Sequence, residues 1–128
     1  MNSIVHFEIP ADDIHRAQEF YKSVFGWEIN KIPLQEMEYY SVVTTEMGDN
    51  HRPKNPGAIN GGMMKRSYPR ESPCLVINVP SIEEYLQKVV KGGGKIVQPV
   101  QKIGDMGLYA RFSDSEGNVI GLWQVLKM

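Results

Sequence analysis

The chain has 128 residues, nearly balanced charges and a single cysteine. The 14 Lys and Arg residues against 15 Asp and Glu residues give a formal net charge of −1 at pH 7. The basic residues are scattered, which argues against a nucleic-acid partner, since such partners are bound by a basic stripe. Cys74 cannot form an internal disulfide, which fits a reducing compartment. No apolar run is long enough to span a bilayer, so we expect a cytoplasmic protein with no membrane partner.

The first half of the chain predicts one strand, one helix and three further strands. The predicted elements are a strand over 4–9 that ends at Pro10, a helix capped by Asp12 or Asp13 that ends near Gly26, and strands over 27–32, 39–45 and 58–65. Because side chains alternate along a strand, His6 and Glu8 share one face of the first strand.

The second half predicts the same order of elements. They are a strand over 75–79 that stops at Pro80, a helix that begins with the capping-box pair Ser81 and Glu84 and closes at the glycines 92–94, and strands over 95–100, 108–113 and 119–125. The turn 114–118, "DSEGN", joins the last two strands.

The two halves of the chain therefore indicate an internal duplication. The stretch "VHFEIP" (5–10) has its counterpart in "LVINVP" (75–80), and "GGMM" (61–64) in "GLWQ" (121–124). We predict an α+β fold of two tandem βαβββ modules, 1–65 and 74–128, joined by a polar linker, 66–73. A four-stranded sheet with one helix leaves its other face uncovered, so we expect two such sheets to pack together, either within the chain or across a dimer.

The residues "VHFEIPADDIHRAQEFYKSVFGWEI" (5–29) and "FSDSEGNVIGLWQV" (112–125) resemble the vicinal oxygen chelate superfamily, which includes glyoxalase I, bleomycin-resistance proteins and extradiol dioxygenases. Among its branches, the chain is most similar to glyoxalase-related proteins. The resemblance covers essentially the whole chain, and it implies paired βαβββ modules whose curved mixed sheets enclose a cavity, usually in a homodimer. It does not specify the reaction, because members of this fold differ widely in chemistry.

The resemblance also implies four metal positions, on the first and last strand of each module. Carried over to this chain, they fall on His6, on Met64 or its immediate neighbour, on Val76 and on Gln124. Val76 has no ligand atom, Met64 suits only soft metals, and the amide of Gln124 cannot act as a general base. The first expectation is therefore a degenerate site without a cofactor. The alternative is an altered site in which Glu8 joins His6 and Gln124 to hold Ni, Zn, Mn or Fe, or serves as a catalytic base.

Several other side chains are candidates for contact with a ligand. Large, adaptable apolar groups near the predicted cavity suit an apolar or aromatic ligand and suit a plain core equally well. The candidate ligand-binding residues are Trp27, Tyr40, Met64, Asn78, Arg111 and Leu122. We expect Leu122 to share the cavity face with Gln124 and Trp123 to lie under a helix. The polar loop 47–56, which contains His51, is either a lid or a variable hairpin connection.

Three functions compete at this point. The first is a small-molecule-binding protein that has kept the cavity of its fold and lost the metal. The second is a metal-dependent isomerase, lyase or dioxygenase related to lactoylglutathione lyase, which would use the altered site at His6, Glu8 and Gln124. The third is a non-enzymatic interaction module, which no amphipathic segment or charged tail supports. The sequence favours the first.

Overall fold

The computed structural model describes residues 1–34, 37–50 and 52–126. The elements in chain order are β1 (Ile4–Ala11), α1 (Ile14–Phe25), β2 (Glu28–Ile32), β3 (Tyr39–Val43), β4 (Gly61–Lys65), β5 (Cys74–Asn78), α2 (Ile82–Lys91), β6 (Lys95–Ile103), β7 (Gly107–Ser113) and β8 (Val119–Val125). The order of strand, helix and three strands occurs twice, which confirms the predicted α+β class. Neither helix in this described part of the chain is long and apolar enough to cross a membrane.

The chain divides into two compact units. The N-terminal unit comprises His6–Pro73, and the C-terminal unit comprises Cys74–Met128 together with Met1–Val5. The first residues attach to the C-terminal unit partly through a backbone hydrogen bond in which Asn78 N–H donates to the Ser3 carbonyl at 2.9 Å. The strand β1 therefore begins in one unit and continues into the other.

The sheet of the N-terminal unit has the strand order β2-β3-β4-β1. The strand β1 runs parallel to β4, and the other neighbours are antiparallel. The predicted end of β1 at Pro10 is two residues too early, because Pro10 and Ala11 stand opposite Met64 and Lys65. A proline is tolerated in a strand where its nitrogen does not face the paired strand.

The helix α1 covers one face of this sheet. Its N-cap is Asp13, whose carboxylate accepts a hydrogen bond from Arg16 N–H at 3.0 Å, and its C-cap is Gly26, which has a positive φ of 74°. The sequence predicts an N-cap at Asp12 or Asp13 and a helix end near Gly26, and both agree with the structure. The core between helix and sheet consists of Ala11, Ile14, Ile29, Tyr40, Val42 and Met63, with Phe7, Ile9, Ala17, Tyr21 and Trp27 packed at its edge.

The C-terminal unit repeats this arrangement with the strand order β5-β8-β7-β6. The strands β5 and β8 are parallel, and the others are antiparallel. Ser81 caps α2, as the sequence predicts, with its side chain accepting from Glu84 N–H. The core under α2 consists of Val79, Ile82, Leu86, Ala110, Phe112 and Leu122, with Ile77, Tyr85, Val89, Val100, Leu108 and Ile120 packed against it.

The predicted linker 66–73 is held in place by hydrogen bonds. The backbone N–H of Arg66 donates to the Ala11 carbonyl at 2.9 Å, and its guanidinium bonds the carboxylate of Asp12 and the carbonyl of Glu71. The buried carboxylate of Glu71 in turn accepts from the backbone and the hydroxyl of Ser67, at 2.8 and 3.1 Å. This connection is therefore an ordered part of the N-terminal unit.

The loop 47–56 is tied at its base. Met47 and Pro53 form an isolated β-bridge, and Gly48 N–H donates to the Arg52 carbonyl at 2.7 Å. The side chain of Asn60 accepts from the backbone N–H groups of Thr44 and Thr45, at 2.8 and 3.1 Å. These bonds describe a hairpin connection, which was one of the two expectations for this loop. His51 lies outside the described residues.

Candidate functional site

The sheet of the N-terminal unit has two chemically different faces. One face carries the apolar residues of β1, β3 and β4 that pack under α1, such as Tyr40, Val42 and Met63. The other face, which α1 does not cover, is called the helix-free face of this unit below. Alternation and the strand register place His6, Glu8, Tyr39, Ser41 and Met64 on it.

Three polar side chains on this helix-free face are joined by hydrogen bonds. His6 Nε2 lies 2.8 Å from Tyr39 Oη, and Tyr39 Oη lies 3.5 Å from Glu8 Oε2, to which it donates. Glu8 is buried, with 6% of its surface exposed, and the cluster joins residues 31 and 33 positions apart in the chain. We call His6, Glu8 and Tyr39 the polar cluster. It combines an imidazole, a phenol and a carboxylate, which together can donate to and accept from an organic ligand.

The polar cluster depends on a glycine beneath it. Gly62 stands opposite Glu8 on one side and Ser41 on the other. A Cβ at Gly62 would overlap the hydroxyl and Cζ of Tyr39. The phenol of Tyr39 therefore reaches His6 because the neighbouring strand carries no side chain at position 62.

The local electrostatics favour a neutral imidazole in the polar cluster. Burial lowers the pKa of His6 from its ordinary value of 6.5, because desolvation disfavours the charged form. The nearby carboxylate of Glu8 acts in the opposite direction and raises this pKa, but its effect is the smaller. At pH 7 His6 is therefore neutral, with one ring nitrogen as donor and the other as acceptor.

The C-terminal unit has a helix-free face of its own, with a different composition. Arg111 Nε donates to Tyr109 Oη at 2.7 Å, and both residues are buried. The Tyr109 hydroxyl lies 3.0 Å from where a Cβ at Gly121 would be, so each unit places a tyrosine hydroxyl over a strand glycine. Val76 and Asn78 share this face, because they stand opposite Gly121 and Trp123. In the position corresponding to His6, this unit has the apolar Val76.

Two of the candidate ligand-binding residues in the N-terminal unit lie on the other face. Tyr40 is part of the core under α1, where its hydroxyl donates to Glu38 Oε1 at 3.1 Å. Trp27 stacks on Tyr21 with the ring centroids 4.8 Å apart, at the edge of the same core. Both residues therefore lie on the face that packs under α1, and not on the helix-free face. Met64 does lie on the helix-free face, partly buried.

The expected orientation of the last strand was also reversed. Leu122 and Gln124 do share a face, but it is the face under α2: Leu122 is in the core, and Gln124 Oε1 accepts from Ile82 N–H at 2.9 Å. Gln124 thus bonds an N–H in the first turn of α2, a group that the helix itself leaves without a partner. Trp123 lies on the opposite face from Leu122, not under the helix. The alignment of "GGMM" with "GLWQ" was therefore out by one residue, because it matched Met64, on a helix-free face, with Gln124, on a face under a helix.

The residues that the sequence resemblance assigned to metal binding do not fit a hard divalent ion. His6 is bonded through Nε2 to Tyr39, Val76 has no ligand atom, and Gln124 is bonded to the helix start. Within 1–34, 37–50 and 52–126, no group of three or more His, Cys, Asp or Glu side chains could hold a metal ion. Such ions in proteins are held by several nitrogen, oxygen or sulfur ligands.

Tyr39 and Gly62 are the residues of this site that the sequence did not single out as site residues. The sequence offered Tyr40, the neighbour of Tyr39, as a ligand-binding candidate instead. The sequence of this strand did contain a signal. Alternation puts Tyr39 with Ser41 on one face and Tyr40 with Val42 on the other, and the more polar pair indicates the face that the helix does not cover.

Comparison with known proteins agrees with this fold. Residues 3–45 match the family model "Bleomycin resistance protein-like N-terminal". The Mycobacterium tuberculosis protein named "Putative glyoxylase CFP32" is 31% identical over 121 residues, which cover 91% of this chain. Those residues are only 43% of that protein, so the chain spans less than half the length of this relative.

Two solved structures share the fold at low sequence identity. A glyoxalase/bleomycin resistance protein/dioxygenase superfamily member from Vibrio splendidus has a TM-score of 0.59 at 16% identity, covering 98% of this chain and 99% of its own. Methylmalonyl-CoA epimerase from Mycobacterium tuberculosis has a TM-score of 0.66 at 14% identity, covering 97% and 88%. The fold and these matches together support a glyoxalase-like protein of the vicinal oxygen chelate superfamily, in agreement with the resemblance found in its sequence.

Proposed function

We propose that this protein binds a small organic molecule through the polar cluster on the helix-free face of its N-terminal unit, without a resident metal. The observation that carries the proposal is the bond of 2.8 Å between His6 Nε2 and Tyr39 Oη on a partly buried sheet face. A buried carboxylate, Glu8, completes a set of donors and acceptors for an oxygen-bearing ligand. The thioether of Met64 on the same face suits an apolar or aromatic portion of that ligand.

A second candidate is a metal-independent enzyme of the lyase or isomerase class. It is favoured by the proximity of a neutral imidazole, a phenol and a carboxylate, which is a set of groups able to move a proton. The names of the glyoxylase and epimerase relatives point in the same direction. The metal-dependent form of this hypothesis, lyase, isomerase or dioxygenase, is weakened by the position of Gln124 under α2. A homodimer and a cytoplasmic location remain predictions from the sequence.

The binding proposal is tested with a fragment set of phenols and hydroxylated aromatic ketones, screened by thermal shift in the presence of EDTA. We expect fragments that stabilise the metal-free parent, and we expect His6→Ala to weaken their binding, measured by calorimetry, by about tenfold or more, since one lost hydrogen bond in a desolvated site has such an effect.

The matched control for this experiment is His15→Ala. His15 is exposed on α1 and takes no part in the polar cluster, so its removal should leave affinity unchanged. Stabilisation that appears only when a divalent ion is added would contradict the proposal. Turnover of a hit, lost in His6→Ala and Glu8→Gln but independent of metal, would favour the enzymatic candidate instead.

A further inference from the structure

The phenol of Tyr39 lies on the helix-free face against Nε2 of His6, a ring nitrogen through which the imidazole could bind a metal. It reaches this place from β3, across the strand β4, and contacts both His6 Nε2 at 2.8 Å and Glu8 Oε2 at 3.5 Å. An imidazole nitrogen and a carboxylate oxygen are both common metal ligands in proteins. The hydroxyl of Tyr39 therefore stands between the two side chains of the polar cluster that could share an ion.

The bond to Tyr39 takes up Nε2 of His6 in either tautomer. If Nε2 carries the proton, it donates to Tyr39 Oη and has no lone pair for a metal. If Nε2 is unprotonated, its lone pair accepts the phenol proton, which is then not donated to Glu8. A phenol near neutral pH keeps that proton and is a poor ligand in comparison with a carboxylate or an imidazole. In both cases a metal at this nitrogen must first displace Tyr39.

Displacement of Tyr39 is opposed by the way in which the ring is seated. The ring lies over Gly62, where the absent side chain provides the space it fills. Tyr39 stands opposite Met64 and Ile32 in the sheet, which fixes its strand on both sides. The glycine and the tyrosine thus form a matched pair: the first leaves a space on the sheet face, and the second fills it with a hydroxyl.

We propose that Tyr39, seated over Gly62, excludes metal from the ligand position at His6 and so converts a family metal site into a metal-free polar site. This inference rests on the proposed function, and it adds Tyr39 to the features that oppose metal binding, beside the missing ligand atom at Val76 and the position of Gln124 under α2. It predicts that His6 and Glu8 can still contribute to a metal site once the phenol of Tyr39 is removed. Replacement of the phenol by a smaller ligand should restore it.

The experiment compares the untagged, chelator-treated parent with Tyr39→His and Tyr39→Phe. Tyr39→His removes the hydroxyl from Nε2 and adds a second imidazole beside His6 and Glu8, a donor set typical of zinc and cobalt sites. Tyr39→Phe keeps the ring over Gly62 and removes only the hydroxyl. Binding of Co²⁺ is followed by its visible absorption, and binding of Zn²⁺ by native mass spectrometry.

We expect Tyr39→His to bind one equivalent of Co²⁺ or Zn²⁺ at least about tenfold more tightly than the parent, and the double variant His6→Ala/Tyr39→His to lose it, because removal of one ligand typically has at least that effect. Far-ultraviolet circular dichroism shows whether each variant folds, and Tyr39→Phe keeps the test decisive if Tyr39→His does not. Metal binding that depends on His6 in either variant supports the inference.

Two results would overturn the inference, and they are distinguishable. No metal in the parent and none in either folded variant would mean that Tyr39 is not what excludes it, while the proposal of metal-free ligand binding would stand. One equivalent of metal in the parent, lost in His6→Ala, would overturn both, because the site would then hold its ion with Tyr39 in place.

Discussion

Gly62→Ala is expected to destabilise the protein and to weaken ligand binding at the same time. A Cβ at this position overlaps the hydroxyl and Cζ of Tyr39, so the ring must swing away and its bond to His6 must break. Overpacking of this kind costs about 1–3 kcal/mol in the free energy of unfolding. Chemical denaturation measures the loss of stability, and calorimetry with a bound fragment measures the loss of affinity.

The control for this substitution is Gly48→Ala, where the nearest atom to an added Cβ is 3.4 Å away and the backbone is not in the left-handed region. Its effect should be small. A double-mutant cycle with Tyr39→Ala isolates the contact: once the ring is gone, Gly62→Ala should cost about 1 kcal/mol less than in the parent. Additive effects of the two substitutions would show that the ring does not depend on this glycine.

Met63→Ala is expected to be far more destabilising than Met64→Ala. Met63 is completely buried in the core under α1, whereas Met64 lies partly buried on the helix-free face. Truncation of a buried methionine to alanine costs about 2–5 kcal/mol, because it removes apolar burial and leaves a cavity. The partly buried neighbour should cost about 1 kcal/mol or less. Urea denaturation of both variants measures the difference.

These two adjacent residues form a matched pair, identical in chemistry and opposite in direction. The comparison therefore tests the register of β4, on which the position of Gly62 beneath Tyr39 depends. Equal losses, or a larger loss for Met64→Ala, would place β4 one residue out of register and remove the structural basis of the polar cluster.

Most of the fold was predictable because its signals are local. Asp13 and Ser81 as helix caps, Gly26 after the first helix and the turn at 114–118 each act within a few residues of themselves. The predicted strands agree with the observed ones to within about three residues at each end, the usual uncertainty of such bounds. The continuation of β1 through Pro10 depends on which neighbour that strand pairs with, and this is not local information.

The site was less predictable, because it depends on which face of each strand its helix covers. Alternation correctly put His6 with Glu8, and Leu122 with Gln124, but it does not say which pair faces the helix. His6 and Tyr39 meet only because β4 pairs with β3 on one side and with β1 on the other, across 33 positions of the chain. The role of Gly62 is invisible in the sequence, since it consists of the space that a missing side chain leaves.

We propose that His6 is a neutral imidazole in the polar cluster and binds no metal. This proposal is tested most directly by nuclear magnetic resonance of the histidine rings in untagged protein, with His6 assigned through the variant His6→Gln. We predict that the pKa of His6 lies below its ordinary value of 6.5. We also predict that dialysis against EDTA leaves its titration curve unchanged. A His6 resonance that does not titrate until EDTA is added would contradict the account, because a metal would then hold its ring nitrogen.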